Sequence, residues 1–223
     1  MTEPEPSSPP PGIAAVRRPV RAHVLEQLTA EIVRGDLPPD EPVNVARVAE
    51  RYGVSVTPVR EALIELAGAG LAMAPLGRGF VVPPLSAREV REIYPLIWTL
   101  EVLALREAPP DDDAMDELEE LQAELASEAD PDRALALDRR WHTRLLAAYD
   151  NDTHQALLAG LKNRAARYEH AYMRERARVL ASVEQHHRIL DALGRADTAA
   201  AAAALEENWR VGPRFLLPWL ETP

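Results

Sequence analysis

Two groups of residues in this 223-residue sequence have types and spacings that could do chemistry. The first is the run Ser55-Val56-Thr57-Pro58-Val59-Arg60. A proline just inside the start of a helix is compatible with the unpaired N–H groups there. The N-terminal end of a helix presents those N–H groups and a positive dipole end to phosphate. Ser55 and Thr57 add short hydroxyls at that end, and Arg60 can reach a guanine edge or a phosphate. The second group is Asp138 and His142, which lie four apart, share one helix face and can grip a single ion. Glu184-Gln-His-His187 is a Glu-x-x-His motif, but a di-iron carboxylate bundle needs two and no twin occurs. No nucleophile–base pairing or phosphate-binding glycine loop stands out, and the absence of cysteine excludes disulfide and thiolate-metal chemistry.

The elements that must position the first group are legible from periodicity. Val24, Leu25, Leu28, Ile32 and Val33 recur at helical spacing over 20–34, and Gly35 with Pro38-Pro39 stops that helix. A short helix fits 45–52, with Asn44 as N-cap and Gly53 ending it. A third starts at Thr57-Pro58, with Thr57 as cap, buries Val59, Leu63 and Leu66, and ends at Gly68 and Gly70. Two apolar runs then flank Gly77-Arg78-Gly79, the pattern of a β-hairpin with a glycine-permitted turn. Three helices followed by a hairpin make a winged helix, and Pro83-Pro84 marks a linker.

Beyond residue 86 everything reads as helix, over about 86–107, 112–128, 131–149, 152–175, 177–194 and 198–211. The expected division is a disordered Pro-, Ser- and Glu-rich tail at 1–12, a winged-helix domain at 13–83 and a helical domain at 84–223. The fold class is therefore mainly α, a winged helix-turn-helix followed by an all-α bundle. Net charge is −11, but residues 13–83 carry eight basic and eight acidic side chains, so the acidity belongs to the back half. A neutral front half can still present arginines on one face. No apolar stretch is long enough to span a membrane, and the N-terminus lacks a signal-peptide pattern; the expected location is cytoplasmic.

The stretch from Gly53-Val-Ser55 through Thr57-Pro-Val-Arg-Glu-Ala-Leu63, with Gly70-Leu71 and Arg78-Gly-Phe-Val-Val82 after it, resembles the helix-turn-helix and wing of GntR-family regulators. The resemblance implies operator DNA contacts from Arg47, Ser55, Val56, Thr57, Pro58, Arg60 and the wing residues Gly77, Arg78 and Gly79. Arg47 would meet phosphate, and Arg78 the adjacent minor groove. The family usually has arginine where this chain has Val56. A valine makes only apolar contact, such as with a thymine methyl, so the operator should differ from the common half-site.

The back half resembles the FCD ligand-binding domain, through Tyr94, Leu100-Glu101, Asp138-Arg-Arg-Trp-His142 and the helix from His186 to Leu193. That resemblance implies a divalent metal such as zinc, nickel or manganese, with Asp138, His142 and His186 as ligands. The fourth position falls on Asn208, where the family has histidine; an amide oxygen is a poorer ligand than imidazole. A metal-free pocket in which Asp138 hydrogen-bonds the two histidines is the other arrangement these residues allow. Tyr94, Trp98, Arg164 and Arg167 are expected effector contacts, with Ile97 standing where the family often has arginine. The implied function is a dimeric, effector-responsive DNA-binding regulator, not an enzyme. It would bind double-stranded operator DNA and a small carboxylate effector, with no membrane partner. The alternative is a helical metal-binding enzyme.

Overall fold

The computed structural model describes residues 20–222; the expected tail at 1–12 lies outside them. Helix α1 (Val20–Arg34) buries Val24, Leu28 and Ile32 and stops at Gly35, whose φ is +80°. In α2 (Val45–Tyr52) the Asn44 side chain accepts from Arg47 N at 3.0 Å. Gly53 closes that helix in the left-handed conformation, which costs a residue without Cβ little. Helix α3 (Val56–Gly68) begins two residues before the expected first helical residue, Pro58. Ser55 is its N-cap and Thr57 its second residue, so Pro58 is the third. That place tolerates proline because the first four helical N–H groups have no intrahelical acceptor anyway.

The wing is less regular than a hairpin. Met73 and Val81 exchange both backbone hydrogen bonds at 2.8 Å, while Val43 N donates to Phe80 O and Asp40 N to Val82 O. Among the described residues these pairings are isolated bridges, not strands. Pro75 and the Pro83-Pro84 pair lack the N–H donors that would extend a ladder. The apolar faces of α1–α3 and the wing close one core around Leu28, Leu63 and Val82.

The second core is helical. Helices α4 (Ala87–Glu107), α5 (Asp112–Ser127), α6 (Pro131–Leu145), α7 (Asp152–Met173), α8 (Arg176–Gly194) and α9 (Thr198–Glu221) surround Trp141, Tyr168, Ile97 and Leu205. Asp111, Asp130, Asn151 and Asp197 cap four of them, each side chain accepting a backbone N–H of the first turn. The expected end of the last helix near 211 is wrong: α9 runs on to Glu221 through Pro213 and Pro218. Proline inside a helix costs about 3 kcal/mol. Here burial of Leu216, with Phe215, Leu217 and Leu220 packed on the same core, holds the extension in place. Ala201 and Ala202 are fully buried, and α9 packs along α4 and α8.

Candidate functional site

The candidates for DNA contact lie on α2, at the start of α3 and at the wing tip. Arg47, Ser55, Val56, Thr57 and Arg60 are exposed, and Pro58 is half-buried in the first turn of α3. Gly77 and Gly79 have φ of +77° and +72° and bracket exposed Arg78. Arg78 donates to Asp40 O at 2.9 Å, so its side chain folds back onto the loop before α2. Six arginines of this domain are described, and their pairing divides them. Arg21, Arg34 and Arg51 are matched by Glu65, Asp36 and Glu31. Arg47, Arg60 and Arg78 have no carboxylate partner among the described residues. The positive charge left unmatched is thus the charge placed on the second and third helices and at the wing tip.

The four candidates for an ion site converge at a cavity between α4, α6, α7, α8 and α9. Asp138, His142 and His186 are all buried and bring ligand atoms within 4.8 Å of one another. His186 is fully buried, stacks on Trp141 with ring centroids 3.7 Å apart, and neither ring nitrogen has a hydrogen-bond partner. Burial, reinforced by His142 and His187, holds its value well below that of a free histidine, so it stays neutral with a lone pair to offer. Burial likewise pushes the Asp138 carboxyl up, against the pull of His142 and a hydrogen bond from Ser182 Oγ at 3.2 Å. Asn208 lines the same cavity and donates to Gln185 Oε1 at 2.9 Å.

Behind this triad lies a buried charge network that the sequence reading missed. Glu101 is fully buried; although burial opposes ionisation, His142 and Lys162 lower its pKa to about 2. It accepts from His142 Nδ1 at 2.8 Å and Trp209 Nε1 at 2.5 Å, and pairs with the Lys162 ammonium. An ionised carboxylate on Nδ1 fixes the proton there and leaves Nε2 as the ligating nitrogen of His142. One signal was available: Lys162 is the only lysine in the sequence.

Tyr94 lines the cavity, edge-on to Trp209 and against Gly212. The structure does not bring Trp98, Arg164 or Arg167 there. Trp98 is half-buried with Arg210 over its ring at 5.1 Å. Arg164 pairs with Glu89 at 2.7 Å and packs against Gly70 of the front domain. Arg167 donates to Pro83 O in the linker at 2.7 Å. Ile97 is fully buried in the core rather than facing the cavity. His187 is exposed and outside the triad, while His154 and His170 bond Leu100 O and Asp132.

A winged helix-turn-helix joined to a helical bundle with a polar interior cavity defines a DNA-binding regulator with a sensory domain. Residues 20–82 match the bacterial regulatory proteins of the gntR family, and residues 92–210 match the FCD domain. The chain is 26% identical over 197 residues to the HTH-type transcriptional repressor GlaR of Escherichia coli, covering 81% of this chain and 88% of that protein. It is 30% identical over 134 residues to the HTH-type regulator YdhC of Bacillus subtilis. That match spans 57% of this chain and 59% of YdhC, under two thirds of its length. The fold also matches the solved structure of E. coli McbR/YncC, with a TM-score of 0.78 at 22% identity over 91% of this chain and 99% of that one. The chain belongs to the GntR family of transcription regulators and carries an FCD effector-binding domain. Among the described residues no helix is long and apolar enough to cross a membrane.

Proposed function

We propose that the protein is a repressor that binds a palindromic operator as a homodimer and answers to a small carboxylate effector. The two units would divide at residues 83–84, with 13–83 reading DNA and 84–223 sensing and dimerising. Arg60 is the principal base reader, with Ser55, Val56 and Thr57 around it. Arg47 takes phosphate, and Arg78 swings from Asp40 into the minor groove. The observation that carries this reading is that Arg47, Arg60 and Arg78 are unmatched by acid while their three described neighbours are paired.

Asp138, His142 and His186 fit a divalent ion such as zinc, nickel or manganese, with Asn208 or water completing the shell. The support is the orphaned, neutral imidazole of His186 and the carboxylate that orients His142. A bound ion would supply a positive centre for the effector's carboxylate. Helix α7 offers the route outward. Glu169 lines the cavity and Lys162 holds Glu101 behind it, while Arg164, Arg167 and Tyr168 hold Glu89, Pro83 and Ser86 at the linker. The effector would act by favouring one pose of the two domains over another.

Gel-shift titration of the protein on a fragment of its own promoter region, repeated over a salt series, tests the DNA assignment. A regulator's affinity should fall steeply as salt rises. Salt-independent binding, or none, would sink it.

A further inference from the structure

The cavity holds a carboxylate that no hydrogen bond in the fold satisfies and that lies outside the Asp138–His142–His186 centre. Glu169, in α7, is 9% exposed, and both of its carboxylate oxygens are buried with no hydrogen-bond partner. Leaving a buried acceptor unmade costs the full desolvation of that group, more so when it is charged. The nearest cation is Arg139, whose Nε stands 3.8 Å from Oε2, beyond hydrogen-bond range. Arg139 is also partly exposed and turns toward Asn163 Oδ1, so it supplies neither carboxylate oxygen with a hydrogen bond. Burial pushes the Glu169 carboxyl above its ordinary range, as expected of a charge awaiting a partner.

The rest of the lining agrees. Asp138 and Glu169 both border the cavity, and no arginine or lysine does. Lys162 is held by Glu101, and Arg164 and Arg167 by the linker. A simple carboxylate would therefore meet Glu169 with like charge and leave it without donors. A divalent ion together with Asp138 and Glu169 sums to zero charge, which suits a ligand that is itself neutral overall. The free space is small, about 40 Å³, so the ligand received is among the smallest of its class.

We propose that Glu169 recognises a cationic nitrogen, and that the effector is a small amino acid. Its ammonium is held by Glu169 and its carboxylate is placed at the Asp138–His142–His186 centre. The carboxylate half rests on the reading of that centre as an ion site; the ammonium half rests on Glu169 alone. Three donors on one ammonium match the two vacant oxygens and leave one for Tyr94 or Tyr172 on the same wall.

Calorimetry on the full chain loaded with zinc tests this with matched pairs that differ only in the nitrogen: glycine and glycolate, alanine and lactate, β-alanine and 3-hydroxypropionate. At least one amino acid should bind ten-fold or more tightly than its hydroxy counterpart. Glu169→Gln should erase that preference while zinc content stays unchanged. Glu169→Asp, which keeps the charge on a shorter stem, should retain part of it. Should Glu169→Gln fail to fold, the wild-type pairs and Glu169→Asp still decide. Hydroxy acids binding as tightly as amino acids would overturn the proposal, and so would no binding of any amino acid at millimolar concentration. A loss of zinc on Glu169→Gln would also overturn it, because Glu169 would then be an ion ligand. Protein that holds no zinc yet binds amino acids in a Glu169-dependent way would keep Glu169's role and sink the ion reading instead.

Discussion

The two domains treat charge in opposite ways. In the front domain Arg47 and Arg60 lie exposed with no acid partner, and Arg78 touches only a backbone carbonyl. In the sensory domain Glu101, Lys162 and His142 are buried in one interlocked cluster. An exposed, unmatched charge costs the fold almost nothing and remains available to a polyanion. A buried charge must be answered inside the protein, so each member of the cluster depends on the others. Residues that read DNA should therefore be separable from stability, whereas residues around the cavity should not.

The largest test of that contrast is Lys162→Met. Removing one partner of a buried pair leaves an uncompensated charge, which typically costs about 3–5 kcal/mol. Thermal unfolding should show a drop of about ten degrees or more. Adding Glu101→Gln should recover a large part of it. A Lys162→Met protein as stable as wild type would mean that Glu101 does not need its ammonium. At the other pole, Arg60→Ala should leave the melting temperature unchanged while weakening operator binding by about 1–3 kcal/mol per half-site. An unchanged gel-shift titration would remove α3 from the role of reader.

The same contrast explains what could be read before the structure. The front domain was legible almost to the residue because its signals are local. Asn44, Gly53, Gly77 and Gly79 are caps and turns fixed by their own backbone requirements, and the three helices carry their own periodicity. Two differences remain there: α3 starts two residues early, capped by Ser55, because a tolerated Pro58 resembles a helix start, and the wing forms isolated bridges where a hairpin is expected. In the back half the triad was found because Asp138 and His142 are four apart and His186 aligned with a known pattern. Glu101, Lys162 and Glu169 come from two helices, and nothing local to them announces that they meet beside one site. The extension of α9 past 211, through Pro213 and Pro218, is not legible locally, since the core that holds it is assembled from distant segments. Arg164 and Arg167 have the right chemistry for an effector but sit on the linker side of α7, a distinction of helix face that composition does not carry.

Two smaller effects sharpen the description of the cavity. Asn208→His should tighten zinc binding by about ten-fold, since imidazole is a better ligand than a neutral amide. Competition with a chelating dye would read this directly, and unchanged affinity would place residue 208 outside the shell. The apo protein should also be acid-sensitive through His186. Its folded value lies below the ordinary 6.5, so between the two values the unfolded chain binds the extra proton. Stability should then be lost as pH falls below about 6.5, by at most about 1.4 kcal/mol per pH unit. Asp138 and Glu169, both shifted upward, act in the opposite sense, so the comparison must be made against His186→Gln. Urea unfolding of that variant between pH 6.5 and 5 should show a shallower decline than wild type.

The smallest expected effect is at the joint between the two regions. Arg164 spans it, pairing with Glu89 at the start of α4 while its stem packs on Gly70 behind the reading helix. It is partly exposed, so Arg164→Ala should change stability little and leave both sites intact. Effector affinity and operator affinity, each measured alone, should stay within about two-fold of wild type. What should change is the effect of one on the other, by about 0.5–2 kcal/mol, the range found for residues that couple two sites without touching either ligand. Thermodynamic reciprocity provides an internal check, because the loss must be equal whether read as effector shifting DNA affinity or DNA shifting effector affinity. Gly70→Ala is not a clean substitute. Gly70 has a φ of +77°, and an added Cβ would lie 3.0 Å from Arg164 Cδ, so strain and lost contact would arrive together. If Arg164→Ala leaves the mutual effect intact in both directions, the domains communicate by another path. Arg167 at Pro83 and Tyr168 at Ser86 are then the contacts to remove next.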